Sequence, residues 1–174
     1  KQLDAILSGT WASLPQICRV IFQDRTIYVI NIHAYPHKLG TANLSEIANS
    51  HQLRENANRE LMAYLEKINE PMIIAGDFNS TDQNYAYQIV RDRMIDSWRE
   101  IGWGLGYSFG LRRDTFSNRK LPTFILILLP KWLLRIDFVF HSKEWTATKA
   151  KMGQWDGISD HRPIIVDLVL NDAR

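Results

Sequence analysis

Residues 18–33 constrain the fold of this chain more than any other stretch. Cys18-Arg19-Val20-Ile21-Phe22 leads into Gln23-Asp24-Arg25, and Thr26 to His33 returns, rich in β-branched and aromatic residues. The pattern predicts a β-hairpin. Both arms are too continuously apolar to be half exposed, so the hairpin is expected inside a sheet covered on both faces. An all-helical fold is thereby excluded, and a layered one is required.

The rest of the chain supplies material for those layers. Asn43 and Glu46 form a capping-box pattern in front of a helix predicted over Leu44 to Asn69. Leu44, Ile47, Ala57, Leu61, Leu65 and Ile68 mark its apolar stripe. Pro71 ends that segment, and Met72-Ile73-Ile74-Ala75 reads as a short buried strand. A second helix is expected over Thr81 to Arg91, capped by Ser80 or Thr81. Gly102, Gly104, Gly106 and Gly110 mark a loop. Strands are expected at Arg135 to Phe140, Trp145 to Met152 and Pro163 to Leu170. In the last of these, Ile165, Asp167 and Val169 face away from Ile164, Val166, Leu168 and Leu170. Strands and helices mix without strict alternation, which favours a layered α/β (α+β) fold over a parallel doubly wound sheet. The 174 residues suffice for a single domain, 1–174, with a real core, and 45% hydrophobic against 23% charged residues excludes a disordered or fibrous chain.

The chemistry-bearing residues fall at strand ends. They are His33 before Ala34-Tyr35-Pro36, the string Gly76-Asp77-Phe78-Asn79, Asp137 within Arg135-Ile136-Asp137-Phe138-Val139-Phe140, and Ser159-Asp160-His161-Arg162-Pro163. Taken singly, His33 could be a satisfied core histidine, Asp77 and Asn79 an Asx turn, and Asp160 a surface partner of Arg162. Asp137 resists such a reading, because a carboxylate among Ile136, Phe138, Val139 and Phe140 is costly to bury unless paired or bound to a cation. Together the residues suit phosphoester hydrolysis. A hard divalent cation wants oxygens of the kind on Asp77, Asn79, Asp137 and Asp160. A water nucleophile wants an imidazole held by a carboxylate, and the developing charge wants donors such as Asn79 and His33.

At these strings, with Asn31-Ile32-His33 added, the chain resembles the endonuclease/exonuclease/phosphatase superfamily of metal-dependent phosphoesterases. The resemblance runs from Ala5-Ile6-Leu7-Ser8 to Leu170. It implies a four-layer α-β-β-α sandwich of two packed mixed β-sheets, with the N-terminal part missing. It also implies His161 as the catalytic histidine, oriented by Asp137 or Asp160, and Asp77 positioning the attacking water. Asn79 would bind a phosphate oxygen, and His33 would contact the scissile phosphate. Asp160, with Asp77 and Asn79, would hold the metal, Mg2+ or Mn2+. The family's metal-binding Glu belongs to strands before Ala5; Glu46, Glu55 and Glu60 follow His33 and are poor substitutes. The chain, which begins at Lys1 without an initiator Met or signal peptide, is therefore expected to be a fragment with weak magnesium affinity and little turnover by itself.

The substrate signals are local. Arg91 to Arg135 holds nine Lys/Arg and four Asp/Glu, on a chain whose net charge is only +2. Such a rim suits a phosphate-bearing substrate, either nucleic acid or a phospholipid headgroup, and Trp98, Trp103 and Tyr107 could stack bases or pack a core. Phe124-Ile125-Leu126-Ile127-Leu128-Leu129 reads as a buried strand or as an apolar hairpin touching a bilayer, the second favouring a sphingomyelinase-like phosphodiesterase. A non-catalytic remnant binding phosphate-bearing ligands is the rival from another class. Leu121 to Leu134 is too short for a membrane helix and is broken by Pro122, Pro130 and Lys131. The single Cys18 excludes a disulfide framework and a multi-cysteine zinc site.

Overall fold

The computed structural model describes residues 2–3, 7, 10–36, 43–110 and 132–172. The hairpin forms from β2 (Trp11–Phe22) and β3 (Arg25–Ala34), with β1 (Gln2–Leu3) on the outer side of β2. Its turn is Gln23-Asp24, both with positive φ, as a two-residue turn matched to strand twist requires. After β3 comes helix α1 (Leu44–Leu65), then β4 (Met72–Asp77), which pairs parallel with β3. The chain continues through α2 (Tyr85–Arg91), β5 (Ile95–Asp96), α3 (Ser97–Ile101), β6 (Phe109–Gly110), β7 (Trp132–Leu134) and β8 (Asp137–His141). It closes with β9 (Trp145–Met152) and β10 (Ile164–Leu170).

Six strands make one mixed sheet in the order β1-β2-β3-β4-β8-β5, and β9–β10 and β6–β7 make two small antiparallel sheets. One face of the large sheet carries Ile30, Ile32, Ile74, Phe138 and Phe140, packed against Leu61, Met62 and Leu65 of α1 and Tyr87 and Val90 of α2. The other face carries Ile27, Val29 and Ile73, packed against Trp145, Leu168 and Leu170 of the β9–β10 sheet. The fold is thus mixed α/β with packed β-sheets and few helices, and the described residues provide a helix layer and two sheet layers.

Three expectations change in detail, and one helix is added. The hairpin is not covered throughout: Val20, Ile21 and Phe22 are exposed, although Phe22 meets the Trp145 ring of the small sheet at 5.9 Å. Helix α1 keeps its capping box but stops at Leu65, with Leu44 exposed and the polar Arg54 and Asn58 on the buried side. Helix α2 begins only at Tyr85, since Asn84 Oδ1 accepts from both the backbone N–H and the hydroxyl of Thr81 and folds 81–84 into a turn. Helix α3 was hidden by its five-residue length; Asp96 caps it by accepting from the N–H groups of Trp98 and Arg99. The apolar run Phe124 to Leu129 lies outside the described residues, as do Ala5, Ile6 and Ser8 of the resemblance.

Candidate functional site

Three adjacent strands bring the polar residues together. In β3, Ile32 and Ala34 are buried toward the helices, so His33 between them projects from the other face. Register then sets His33 beside Asp77 of β4, and Asp77 beside Asp137 of β8. The Gly76-Asp77-Phe78-Asn79 string has a local reason at each position. Gly76 has φ +144°, and a Cβ there would lie 2.0 Å from the Ile32 carbonyl oxygen, so only glycine fits the approach of β4 to β3. Phe78 is fully buried, edge-on to Phe138 and Phe140. Asn79 takes positive φ, which asparagine tolerates better than most residues. Its backbone N–H donates to Asp77 Oδ1 at 2.8 Å, and its side-chain Nδ2 donates to Asp77 Oδ2 and to the Ala34 carbonyl, each at 3.0 Å.

His161 arrives from the opposite direction on a loop built to deliver it. Asp156 Oδ1 accepts from the N–H groups of Ile158 and Ser159, and Ser159 Oγ accepts from the His161 N–H. The Asp160 carbonyl takes the Gly110 N–H, and the Arg162 N–H donates to the Ser108 carbonyl, which pins 160–162 alongside β6. The imidazole Nδ1 meets Asp137 Oδ2 at 2.7 Å, leaving Nε2 for the site. Phe109 stands edge-on to the ring at 5.0 Å. Among the described residues, one ligand atom each from Asp77, Asp137 and His161 lies within 4.8 Å of the others. A cleft of about 550 Å³ passes Asp137 and His161, with Ala75, Val139 and Ile164 on its apolar wall and Gln154, Asp156 and Ser159 on its polar one.

The electrostatics follow from this crowding. Burial, then the neighbouring Asp137 charge, pushes the Asp77 carboxyl up to about 6, against the Asn79 N–H, His161 and His33, which pull it down. His161 is raised above the ordinary histidine value, chiefly by its hydrogen bond to Asp137 and then by the charges of Asp137, Asp77 and Asp160, against burial. The donor set fits a hard divalent cation, because two facing carboxylates, one of them already driven toward protonation, would both be relieved by it.

The structure therefore gathers His33, Asp77, Asn79, Asp137 and His161, but not Asp160. The Asp160 side chain is exposed and outside the Asp77–Asp137–His161 group, so Asp137, not Asp160, holds the histidine. Asp160 lies at a bend in the chain, whereas His161 is fixed by its bridge to Phe109. Asn79 spends its amide within the protein, on Asp77 and Ala34, and so clamps the carboxylate. His33 is half exposed, its Nε2 3.7 Å from Asp77 Oδ2. Sequence reasoning missed Ser108, fully buried, whose Oγ accepts from the N–H groups of Ile136 and Asp137, and Phe109 beside His161. Neither carried a signal, because both act across more than twenty residues of chain.

The described arginines of the basic rim are all paired within the protein. Arg91 pairs with Asp92, Arg93 with Glu66, Arg99 with Asp82, and buried Arg135 with Asp82 and Asp96. Arg112, Arg113, Arg119, Lys120 and Lys131 lie outside the described residues. Trp98 is core, whereas Trp103 is 93% exposed. None of the described helices is long and apolar enough to cross a membrane.

The profile of the endonuclease/exonuclease/phosphatase family matches residues 12–161. No curated protein matches by sequence. Among solved structures, the chain is similar to the mannosyl-6-phosphatase of Bacteroides thetaiotaomicron, with 16% identity and a TM-score of 0.55, over 90% of this chain and 56% of that one. It is also similar to the APE2 catalytic domain of Xenopus laevis, with 14% identity and a TM-score of 0.58, over 91% and 56%. A humanized TDP2 of D. rerio gives 20% identity and a TM-score of 0.55, over 89% and 60%. At these identities the likeness shows the fold, and the chain spans little more than half the length of the structures it matches.

Proposed function

The chain belongs to the endonuclease/exonuclease/phosphatase family, and from that membership we propose that it carries the Asp137–His161 pair with which the protein as its gene encodes it hydrolyses phosphoesters, a water molecule being the nucleophile. The observation that carries this reading is that pair itself: Nδ1 held by Asp137 at 2.7 Å, Nε2 unspent, near Asp77, with Asp137 and His161 lining an open cleft. An imidazole so held presents one nitrogen in one orientation, as a general base or acid requires. Asp137 stabilises the imidazolium that forms when Nε2 takes a proton. Asp77, clamped by Asn79, orients the water, and His33, half exposed next to Asp77, contacts the substrate phosphate. Asp77 and Asp137 would hold Mg2+ or Mn2+, with Asp160 and the Asn79 carbonyl oxygen as further candidate ligands from the rim. Bound there, the ion supplies neutralisation of phosphate charge. The substrate bears a phosphoester, in nucleic acid or in a phospholipid headgroup.

The test is made on the protein as its gene encodes it, with bis(p-nitrophenyl) phosphate as probe. Hydrolysis is expected with Mg2+ or Mn2+ and is expected to disappear in EDTA. Equal rates with and without chelator, or no hydrolysis with any divalent ion, would overturn the reading.

A further inference from the structure

Arg54 lies on the buried side of α1 and is 0% exposed. Its Nη1 donates to the Tyr35 carbonyl at 3.1 Å, while Nε and Nη2 have no acceptor among the described residues. Burial lowers its pKa, opposed first by the Asp77 carboxylate and then by Glu55, and a guanidinium remains charged in any case. A buried charge with unspent donors is an unfavourable way to fill space, and a methionine of similar reach would leave no donor unmet. Packing therefore does not explain the arginine.

Its one partner does. The Tyr35 carbonyl is the next along the chain from the Ala34 carbonyl, which receives Asn79 Nδ2 at 3.0 Å. The same Asn79 amide reaches Asp77 Oδ2, and His33 immediately precedes Ala34. Two consecutive carbonyls at the exit of β3 are thus gripped, one by α1 and the other by the loop after β4. If the first grip is released, the second loses its fixed acceptor.

We infer that Arg54 is a positioning residue of the site: from inside the fold it fixes the Ala34–Tyr35 peptide, and through that peptide the Asn79 carboxamide that clamps Asp77. The inference rests on the hydrolase reading for its effect on rate, but not for its effect on Asn79.

Arg54→Met and Arg54→Lys, made in the protein as its gene encodes it, test this with three readouts. These are the Asn79 side-chain amide pair by 1H–15N NMR without substrate, thermal unfolding, and kcat and KM for bis(p-nitrophenyl) phosphate with Mg2+. Arg54→Met is expected to stay folded and to move the Asn79 pair toward free-amide positions. It is expected to lower kcat about tenfold with KM unchanged, a rate loss within what small misplacements cause. Arg54→Lys, which can still donate to the Tyr35 carbonyl, is expected to recover part of both. Asn79 signals unmoved in folded Arg54→Met would overturn the inference. So would failure of both variants to fold, which would assign Arg54 to stability. Displaced Asn79 signals in a protein whose wild type hydrolyses nothing would support the positioning role and sink only the hydrolase reading.

Discussion

Strand β8 carries a histidine–carboxylate pair at each end, and the two pairs differ in what they leave unused. At its start, Asp137 holds His161 through Nδ1, both residues are partly exposed, and both line a cleft. At its end, His141 is 0% exposed and spends both nitrogens, Nδ1 on the Ser142 carbonyl at 2.9 Å and Nε2 on Glu100 Oε2 at 2.8 Å. Glu100 Oε2 also accepts the Ala147 N–H, so this second pair ties α3 to β8 and β9. The same two functional groups thus make a clamp where every valence is used and, on the proposed function, a reactive centre where one is spare. Histidine beside carboxylate is not a site in itself; the unspent nitrogen and the open cleft make it one.

Mutations should separate the pairs. The largest stability effect is expected from His141→Ala, which empties a fully buried site and removes two hydrogen bonds, and is expected to cost about 3 kcal/mol. Urea unfolding measures it, and a loss as small as that of a surface substitution would deny the clamp. Asp77→Asn should act in the opposite direction. The folded pKa of Asp77, about 6, lies above its ordinary 3.8. Its contribution to stability is therefore full below pH 4 and lost as pH rises through 6. At pH 8 in EDTA the wild type carries a penalty of about 3 kcal/mol, which Asp77→Asn should relieve in part, since asparagine keeps one acceptor for the two Asn79 donors, while at pH 3.5 the variant should hold no advantage. A variant no more stable than wild type at pH 8 would contradict the burial of the Asp77 charge beside Asp137. The smallest effects concern the His161 titration, followed by imidazole NMR. Asp137→Asn should lower the His161 pKa clearly, because its hydrogen bond is the largest cause of the raised value, and Asp160→Asn should lower it only slightly. The reverse order would return Asp160 to the role that the sequence motif suggested for it.

Much of the site was legible because its residues announce themselves locally. Gly76 marks the close approach, Asp137 stands among apolar neighbours, and His33 ends a strand, so strand register alone could align all three. Sequence left open whether Asp137 or Asp160 orients His161, since adjacency in sequence says nothing about which carboxylate reaches the ring, and Asp137 is the one in contact. Ser108, Phe109, Glu100 and Arg54 were illegible because their partners are set by packing. Serine, phenylalanine and arginine in loops and helices are ordinary until Asp137, His161 or Tyr35 is found beside them. The fold shows the same division. The hairpin, the α1 cap and strands β4, β9 and β10 rest on local pattern and were readable. The start of α2, the whole of α3 and the exposure of the end of β2 depend on a side chain folding back or on which layer lies overhead.

The most direct measurement is the rate of bis(p-nitrophenyl) phosphate hydrolysis by His161→Ala, set against His141→Ala and corrected for the folded fraction of each. His161→Ala should keep its stability and lose about a thousandfold in kcat, whereas His141→Ala should keep its rate per folded molecule. Undiminished hydrolysis by folded His161→Ala would contradict the assignment of the Asp137–His161 pair as the reactive centre.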